Sequence, residues 1–580
     1  MNETDTSQLS RRDLLRSGAA GTALLLLPKV MQGLQDTNPV AKTNAGMIRG
    51  HVVDGINMFR GVPYGMDTVK TRFMAPKPVE PWKDVRNCFT WGPRTIQPYS
   101  PPTPPHPAAS NNGVQTPPVQ HERGYYMPPD EGEESEDCLN LNVWTPNLRD
   151  GKKRPVMVYF HGGGYTYGTV NSVLYDGTRL AKRGDVVVVT VNGRLNAFGF
   201  LYLAALGGES FADSGMAGQL DLVLALQWIH DNIVEFGGDP SRVLVFGQSG
   251  GGGKCSTLMA MPPAKGLFHR VVCMSGQLIA GAPPERATER ARAVLKALNL
   301  EPGNIDAIRT MPLQQIREAA RAGGNYGPVA DGRSLPTGPF WPQAAAQSLD
   351  IPLIMGNTHD ETRFLGGVPG VNLFALEWDD APAGTNATHE YNNTQGIIHA
   401  LKAGGPLMHD FNPVEVVAKY RSWYPEYSPT DVYFQITTDM RVWRSEQVAA
   451  TKRAEDPESA KRTWLYQVDW VSPAAHGRYK APHTMDLPFA FDNVAIAPGM
   501  VGGSPEEQTR AQALADAVSE SYIAFAKTGN PNNAKVPHWP HFDLQDRPTM
   551  IFDDKVRIEN DPRKEERLLI EQVPYVPNAV

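Results

Sequence analysis

The sequence predicts an α/β protein built on one large, mostly parallel central sheet with helices on both faces. Three observations point there. Compact apolar runs recur through the middle of the chain, helix-like stretches separate them, and residues 185–191 carry five valines, the pattern of a strand buried on both faces. Strands that alternate with crossover helices pair in parallel and take helices on either side.

The elements follow in order. Residues 155–160 form a compact apolar run that ends at Gly162, Gly163 and Gly164. The valine run at 185–191 comes next. Residues 219–234 are long and mostly apolar, with Leu220, Leu224, Trp228 and Ile229, and read as a covered helix. Residues 243–246 read as a short strand, followed by glycines and a helix-like stretch over 254–260. The runs at 271–274 and 352–355 continue the series, and there is no internal repeat.

Two stretches break this rhythm. Residues 97–130 hold Pro101, Pro102, Pro104, Pro105 and Pro107, then Tyr125, Tyr126 and Met127. Proline removes the donors that a strand needs, so this segment is expected to be an extended loop. Residues 366–396, rich in Gly, Asn and Thr, read as a second surface excursion. Loops of this length in a compact domain are commonly functional, and the first, bounded by Cys88 and Cys138, is expected to cover a site.

At 580 residues the chain would suggest several domains by length alone, but nothing in its composition divides it into blocks. The hydrophobic share of 41% supplies a sizeable core, and a net charge of -7 argues against a nucleic-acid surface. No metal-ligand cluster has convincing spacing. The N-terminus reads Ser10-Arg11-Arg12-Asp13-Leu14-Leu15-Arg16, followed by a small and apolar run over 17–27. A twin-arginine region before a short apolar stretch is the pattern of a bacterial export signal, so the protein is expected in the periplasm or outside the cell. The alternative is an amphipathic N-terminal helix of a cytosolic enzyme. The apolar run is too short to span a bilayer, and no other stretch approaches the roughly 20 residues required, so stable membrane insertion is not expected. Residues 1–38 are therefore read as signal and linker, and 39–580 as a single domain. Cys88 and Cys138 lie in loop-like surroundings where an exported chain could oxidise them, and they are the expected disulfide. Cys255 and Cys273 are expected as buried free thiols.

The strongest chemical signal is Val245-Phe246-Gly247-Gln248-Ser249-Gly250-Gly251, a G-x-S-x-G pattern between a short strand and a helix. A nucleophilic serine there sits on a sharp turn where bulk at either flank would meet neighbouring backbone. The helix that follows aims its N-terminal amides at developing negative charge. A rival reading takes Gln248 to Cys255 as a phosphate-binding loop, G-x-x-x-x-G-K-[ST]. It fails twice, because Gln248 replaces the first glycine and Cys255 the magnesium-binding hydroxyl. The second signal is His161-Gly162-Gly163-Gly164, directly after the run at 155–160. Consecutive glycines let backbone approach a substrate and point two amides the same way, as an oxyanion requires.

The chain resembles the type-B carboxylesterase family, which includes cholinesterases, bile-salt-type lipases and bacterial esterases. The resemblance covers nearly the whole chain after the signal. It shows in Phe59-Arg60-Gly61-Val62-Pro63-Tyr64, Ser135-Glu136-Asp137-Cys138-Leu139-Asn140-Leu141-Asn142-Val143-Trp144 and Phe236-Gly237-Gly238-Asp239-Pro240. It continues in Gly327-Pro328-Val329-Ala330-Asp331-Gly332 and Phe525-Ala526-Lys527-Thr528-Gly529-Asn530-Pro531. It implies an α/β-hydrolase fold with long loop insertions over the active site. It also implies a serine esterase that cleaves small-molecule carboxylic esters through an acyl-enzyme and needs no cofactor. The family order is Ser, Glu, His. The resemblance places the acid at Glu361 in Gly356-Asn357-Thr358-His359-Asp360-Glu361, with Asp360 as competitor. It places the histidine at His483 in His483-Thr484-Met485-Asp486-Leu487-Pro488-Phe489, with His476 as alternative and Asp486 where relatives carry Glu. The amides of Gly163, Gly164 and Gly250 would hold the oxyanion.

Departures from the family pattern carry information. Gly250 stands where relatives often have Ala, and Gly218-Gln219 where many have an Asp-Gln pair. Cholinesterases place Glu before the serine and a Trp near the second loop cysteine, which holds a quaternary ammonium by cation–π attraction. Here neutral Gln248 and Pro128 occupy those positions, with Trp91 near the other end of the loop, which favours uncharged hydrophobic esters; Tyr125 or Tyr126 offers another aromatic surface. Two other readings are a lipase acting on long-chain interfacial substrates and a binding protein of the same family that has lost catalysis. The serine, acid and histidine together weigh against the latter.

Overall fold

Successive side chains along the central strands point to opposite faces, and both faces are apolar. Val156, Val158 and Phe160 pack on one side, Met157 and Tyr159 on the other. The same alternation sends Val187, Val189 and Val191 one way and Val188 the other. A strand buried on both faces belongs in a sheet covered on both faces.

The computed structural model describes residues 38–98, 125–364, 368, 371–379, 395–403 and 411–577. Its main sheet has eleven strands. They are β1 (His51–Val53), β2 (Ile56–Pro63), β3 (Asn140–Thr145), β4 (Arg154–Phe160), β5 (Val187–Val191) and β6 (Gly238–Gln248). They continue with β7 (Arg270–Met274), β8 (Leu353–Thr358), β9 (Thr463–Val468), β10 (Pro548–Phe552) and β11 (Arg557–Asn560). Across the sheet the order is β11-β10-β9-β8-β7-β6-β4-β5-β3-β2-β1. The block from β5 to β10 is parallel throughout, and antiparallel pairs close both edges. A small three-stranded sheet, Val40–Lys42, Met47–Arg49 and Arg86–Asn87, lies outside it.

Helix α1 (Ala217–Asn232) covers one face through Leu222, Ala225, Leu226 and Ile229. Leu220 and Leu224, which the sequence suggested as part of the buried set, are only partly covered. Helix α2 (Gly250–Met259) starts four residues earlier than the expected 254. Its first turn is made of glycines, the poorest helix formers after proline, so local propensity hides it. Tertiary contact decides instead, as the site shows below. Helix α3 (Pro505–Thr528) covers the other face with Leu514, Val518, Tyr522 and Phe525, opened by a capping box between Ser504 and Glu507.

The expected Cys88–Cys138 disulfide is not formed. All four cysteines are free and buried. The backbone of Cys88 bonds with Arg49 and Arg60 beside the small sheet, while the Cys138 thiol is engaged by the Thr95 side chain. Burial pushes both thiols up to about 12, which suppresses the thiolate that oxidation requires. The twin-arginine segment, the proline cluster and most of 366–396 lie outside the described residues.

Candidate active site

Four loops leave the carboxyl ends of parallel strands β4, β6, β8 and β9 and meet on one rim of the sheet. That rim is where open α/β sheets place their ligands. Each loop brings one part of the candidate site.

Ser249 follows β6 directly and caps α2, with φ 59° and ψ -126°. A non-glycine residue held at such a positive φ is strained, and strain of this kind persists only where the surroundings over-determine it. The surroundings here are backbone. A Cβ on Gly247 would lie 2.4 Å from the Gly251 carbonyl carbon, and one on Gly251 only 2.0 Å from Phe160 O. A Cβ on Gly250 would lie 2.0 Å from Gly164 O. The glycines therefore let the elbow press against the loop after β4, and the glycine at 250 answers to that contact.

That loop, 161–164, turns through two glycines with positive φ, Gly163 at 84° and Gly164 at 62°. The N–H groups of Gly163, Gly164 and Gly250 donate to no protein acceptor among the described residues. They stand together with the α2 N-terminus, a suitable place for negative charge. The phosphate-loop alternative fails in the structure too. Lys254 does not reach toward that opening but turns inward, its Nζ donating to His161 O at 2.8 Å.

Beyond β8, Glu361 is fully buried, and its Oε1 accepts from Thr358 N at 2.8 Å. Its Oε2 receives a short hydrogen bond from His483 Nδ1. His483, on the loop after β9, also donates its backbone N–H to Glu361 O at 3.3 Å. Asp360, the competing acid, faces elsewhere. It pairs with His359 Nδ1 at 3.0 Å and Arg363 Nε at 3.0 Å. Burial opposes its ionisation, but the neighbouring His359, Arg363 and Lys480 charges win and hold its carboxyl well below the usual carboxylate range. His476, the alternative histidine, is exposed in the turn Ala474–Gly477. Asp486 accepts from Tyr466 OH at 3.0 Å, and burial together with the Glu361 charge pushes it up to about 7.

The structure thus joins Glu361 and His483 directly. Ser249 Oγ makes no hydrogen bond to His483 in this state. Instead His483 Nε2 meets Gln248 Nε2 at 3.1 Å, so the residue before the serine occupies the ring nitrogen that faces the elbow. Catalytic contacts are often loose before substrate binds.

The walls are aromatic. Tyr125 OH bonds Thr484 Oγ1, next to His483, at 3.0 Å. Its ring meets Phe364 edge-on at 4.9 Å and Tyr479 at 6.0 Å. Met127 also touches Thr484. Tyr126 is 57% exposed, so of the two tyrosines it is Tyr125 that faces this group. Trp91 is occupied elsewhere, with the Arg60 guanidinium 4.1 Å over its ring and Trp144 beside it. A Cβ on Gly218 would lie 2.4 Å from Arg194 O, which leaves no room for the Asp that many relatives carry. The partner position survives, as Gln219 Nε2 donates to Lys254 O at 2.8 Å. Lys254 and the Gln248–His483 contact were not foreseen. The one available signal for Lys254 was a lone charge in an otherwise uncharged helix.

Comparison with known proteins gives the family. The carboxylesterase family model matches residues 37–569. The para-nitrobenzyl esterase of Bacillus subtilis is 32% identical over 92% of this chain and 98% of its own. The phenmedipham hydrolase of Pseudarthrobacter oxydans is 31% identical over 90% and 96%. Among solved structures, the Geobacillus stearothermophilus carboxylesterase EST55 superposes with a TM-score of 0.73 at 30% identity, covering 91% of this chain and 99% of that one. The fold is that of an α/β-hydrolase. The chain belongs to the carboxylesterase family, and its activity is carboxylic ester hydrolysis.

Proposed function

We propose that the chain hydrolyses uncharged, hydrophobic carboxylic esters through an acyl-enzyme on Ser249. His483 Nε2 takes the Ser249 proton as Oγ attacks the ester carbonyl, then delivers it to the leaving alcohol. Glu361 holds the imidazole with its proton on Nδ1 and stabilises the cation that forms. The amides of Gly163, Gly164 and Gly250 take the oxyanion. Water repeats the sequence on the acyl-enzyme. The observation that carries this reading is the His483–Glu361 hydrogen bond on the same rim as the serine elbow. Tyr125, Phe364 and Met127 beside Thr484, with neutral Gln248 at the imidazole, support an uncharged substrate.

Ser249→Ala tests it. Hydrolysis of nitrophenyl esters is expected to fall by about 10⁴-fold or more, fluorophosphonate labelling to vanish, and the melting temperature to hold. Near-normal turnover by that variant sinks the assignment. A chain-length series of nitrophenyl esters, then emulsified triglyceride, separates esterase from lipase; rates falling steeply beyond medium chains decide for the esterase. We also propose export through the twin-arginine route, supported by Arg11-Arg12 and the apolar run after them. Replacement of both arginines by Lys should trap active enzyme in the cytoplasm.

A further inference from the structure

Lys254 is the only charged residue of α2, and it is 3% exposed. It follows Gly250 by four positions and Gly251 by three, so it shares their helix face. That face is the one pressed on the loop 160–164. Lys254 Nζ donates to His161 O at 2.8 Å. His161 is itself buried, and its Nδ1 lies 2.8 Å from Gly162 O. A carbonyl only accepts, so the imidazole proton sits on Nδ1. Two consecutive carbonyls of the loop, 161 and 162, are therefore each held by a side-chain donor. The second shares its peptide with the Gly163 N–H, and donation into that oxygen orients and polarises the N–H opposite it.

An ammonium withdrawn from water is costly, and an apolar side chain of equal length would fill the space without that cost. Burial brings Lys254 down to about 7, and burial with the Lys254 charge holds His161 well below its ordinary value, in its neutral donor form. The other groups facing Lys254 are the Tyr165 ring at 6.0 Å, Cys255 on its own helix, and Arg194, whose charge is matched by Asp221 at 2.6 Å.

We propose that Lys254 is a positioning residue for the oxyanion. Its bond to His161 O, continued by the His161 bond to Gly162 O, locks the two peptide planes that aim the Gly163 N–H at the developing charge. The inference rests on the serine-esterase reading above, which fluorophosphonate labelling of the wild-type enzyme checks separately.

Lys254→Met and Lys254→Gln provide the test, with kcat and KM measured on a nitrophenyl ester across the neutral pH range beside thermal melts. In Lys254→Met, kcat should fall by about 10- to 100-fold with KM within about twofold and no loss of melting temperature. Lys254→Gln, which keeps a donor, should recover part of the loss. Above about pH 7 Lys254 becomes a neutral amine, a weaker donor, so wild-type kcat should decline partly there, and Lys254→Met should lack that limb. A kcat within about twofold of wild type overturns the proposal. So does a parallel collapse of kcat and melting temperature in both variants, or failure of both to fold, since either marks a purely structural lysine.

Discussion

Around Ser249 the site is built by backbone lying on backbone, whereas around His483 it is built by side chains reaching one another. On the serine side, α2 meets the loop 160–164 so closely that single methyl groups have no place. On the histidine side, Glu361, His483, Asp360 and Arg363 are held by charge-assisted hydrogen bonds over longer reach. The two constructions fail differently. Backbone contact leaves shape alone to be broken, while the side-chain network lets chemistry and stability be altered one group at a time.

Adjacent carboxylates show this best, and the largest effect is expected at Glu361. Glu361→Gln preserves shape but withdraws the charge opposite His483 and permits the wrong tautomer, so kcat should drop by about 10⁴-fold. Circular-dichroism melts should show little change. The next largest effect belongs to its neighbour. Asp360→Asn breaks a buried charge network that bonds neither His483 nor Ser249 directly and should cost about 3–5 kcal/mol of stability, read by urea unfolding, while kcat in the folded fraction stays near wild type. The Asp360 pKa is depressed in the folded state. Its contribution is therefore complete above its unfolded value near 4 and lost as pH falls further toward the folded value. The stability gap between wild type and Asp360→Asn should accordingly close in acid. Equal effects of the two substitutions on kcat would remove the distinction between them. The smallest of the three is on the serine side. Gly251→Ala sets a methyl 2.0 Å from Phe160 O and should cost about 1–3 kcal/mol of stability as the loop recoils. Activity should fall with it, because that loop carries the amides proposed to hold the oxyanion; full activity would show the contact to be soft.

Much of this was legible in the sequence. The valine-rich run marked β5 because a doubly covered strand has no polar face to alternate with. The serine turn and the glycines at 162–164 were readable because their chemistry demands small residues in fixed local order. What depended on distant neighbours was not readable. The start of α2 was hidden by Gly250–Gly253, whose helical state is imposed by contact with β4. Cys88 and Cys138 looked like an oxidisable loop pair because Pro-rich surroundings mark loops without revealing burial. Family order favoured Glu361 over Asp360, but that His483 meets the one and not the other is visible only in the fold, where the two adjacent side chains point in different directions. Lys254 showed only as a lone charge in its helix; the carbonyl it meets, that of His161, is remote in sequence.

The four glycines that open α2 have a consequence for how the protein comes into being. Each costs about 1 kcal/mol of helix stability relative to alanine, and a turn composed of them cannot nucleate by itself. This helix must wait for β4, β6 and β7 to pair before it has anything to form against. Ser249 is thus seated only after the sheet around it exists, and on the proposed reading a partly folded chain has no reactive serine to expose. In refolding, recovery of hydrolysis should trail the return of helical and sheet signal, so the enzyme reports its own completion.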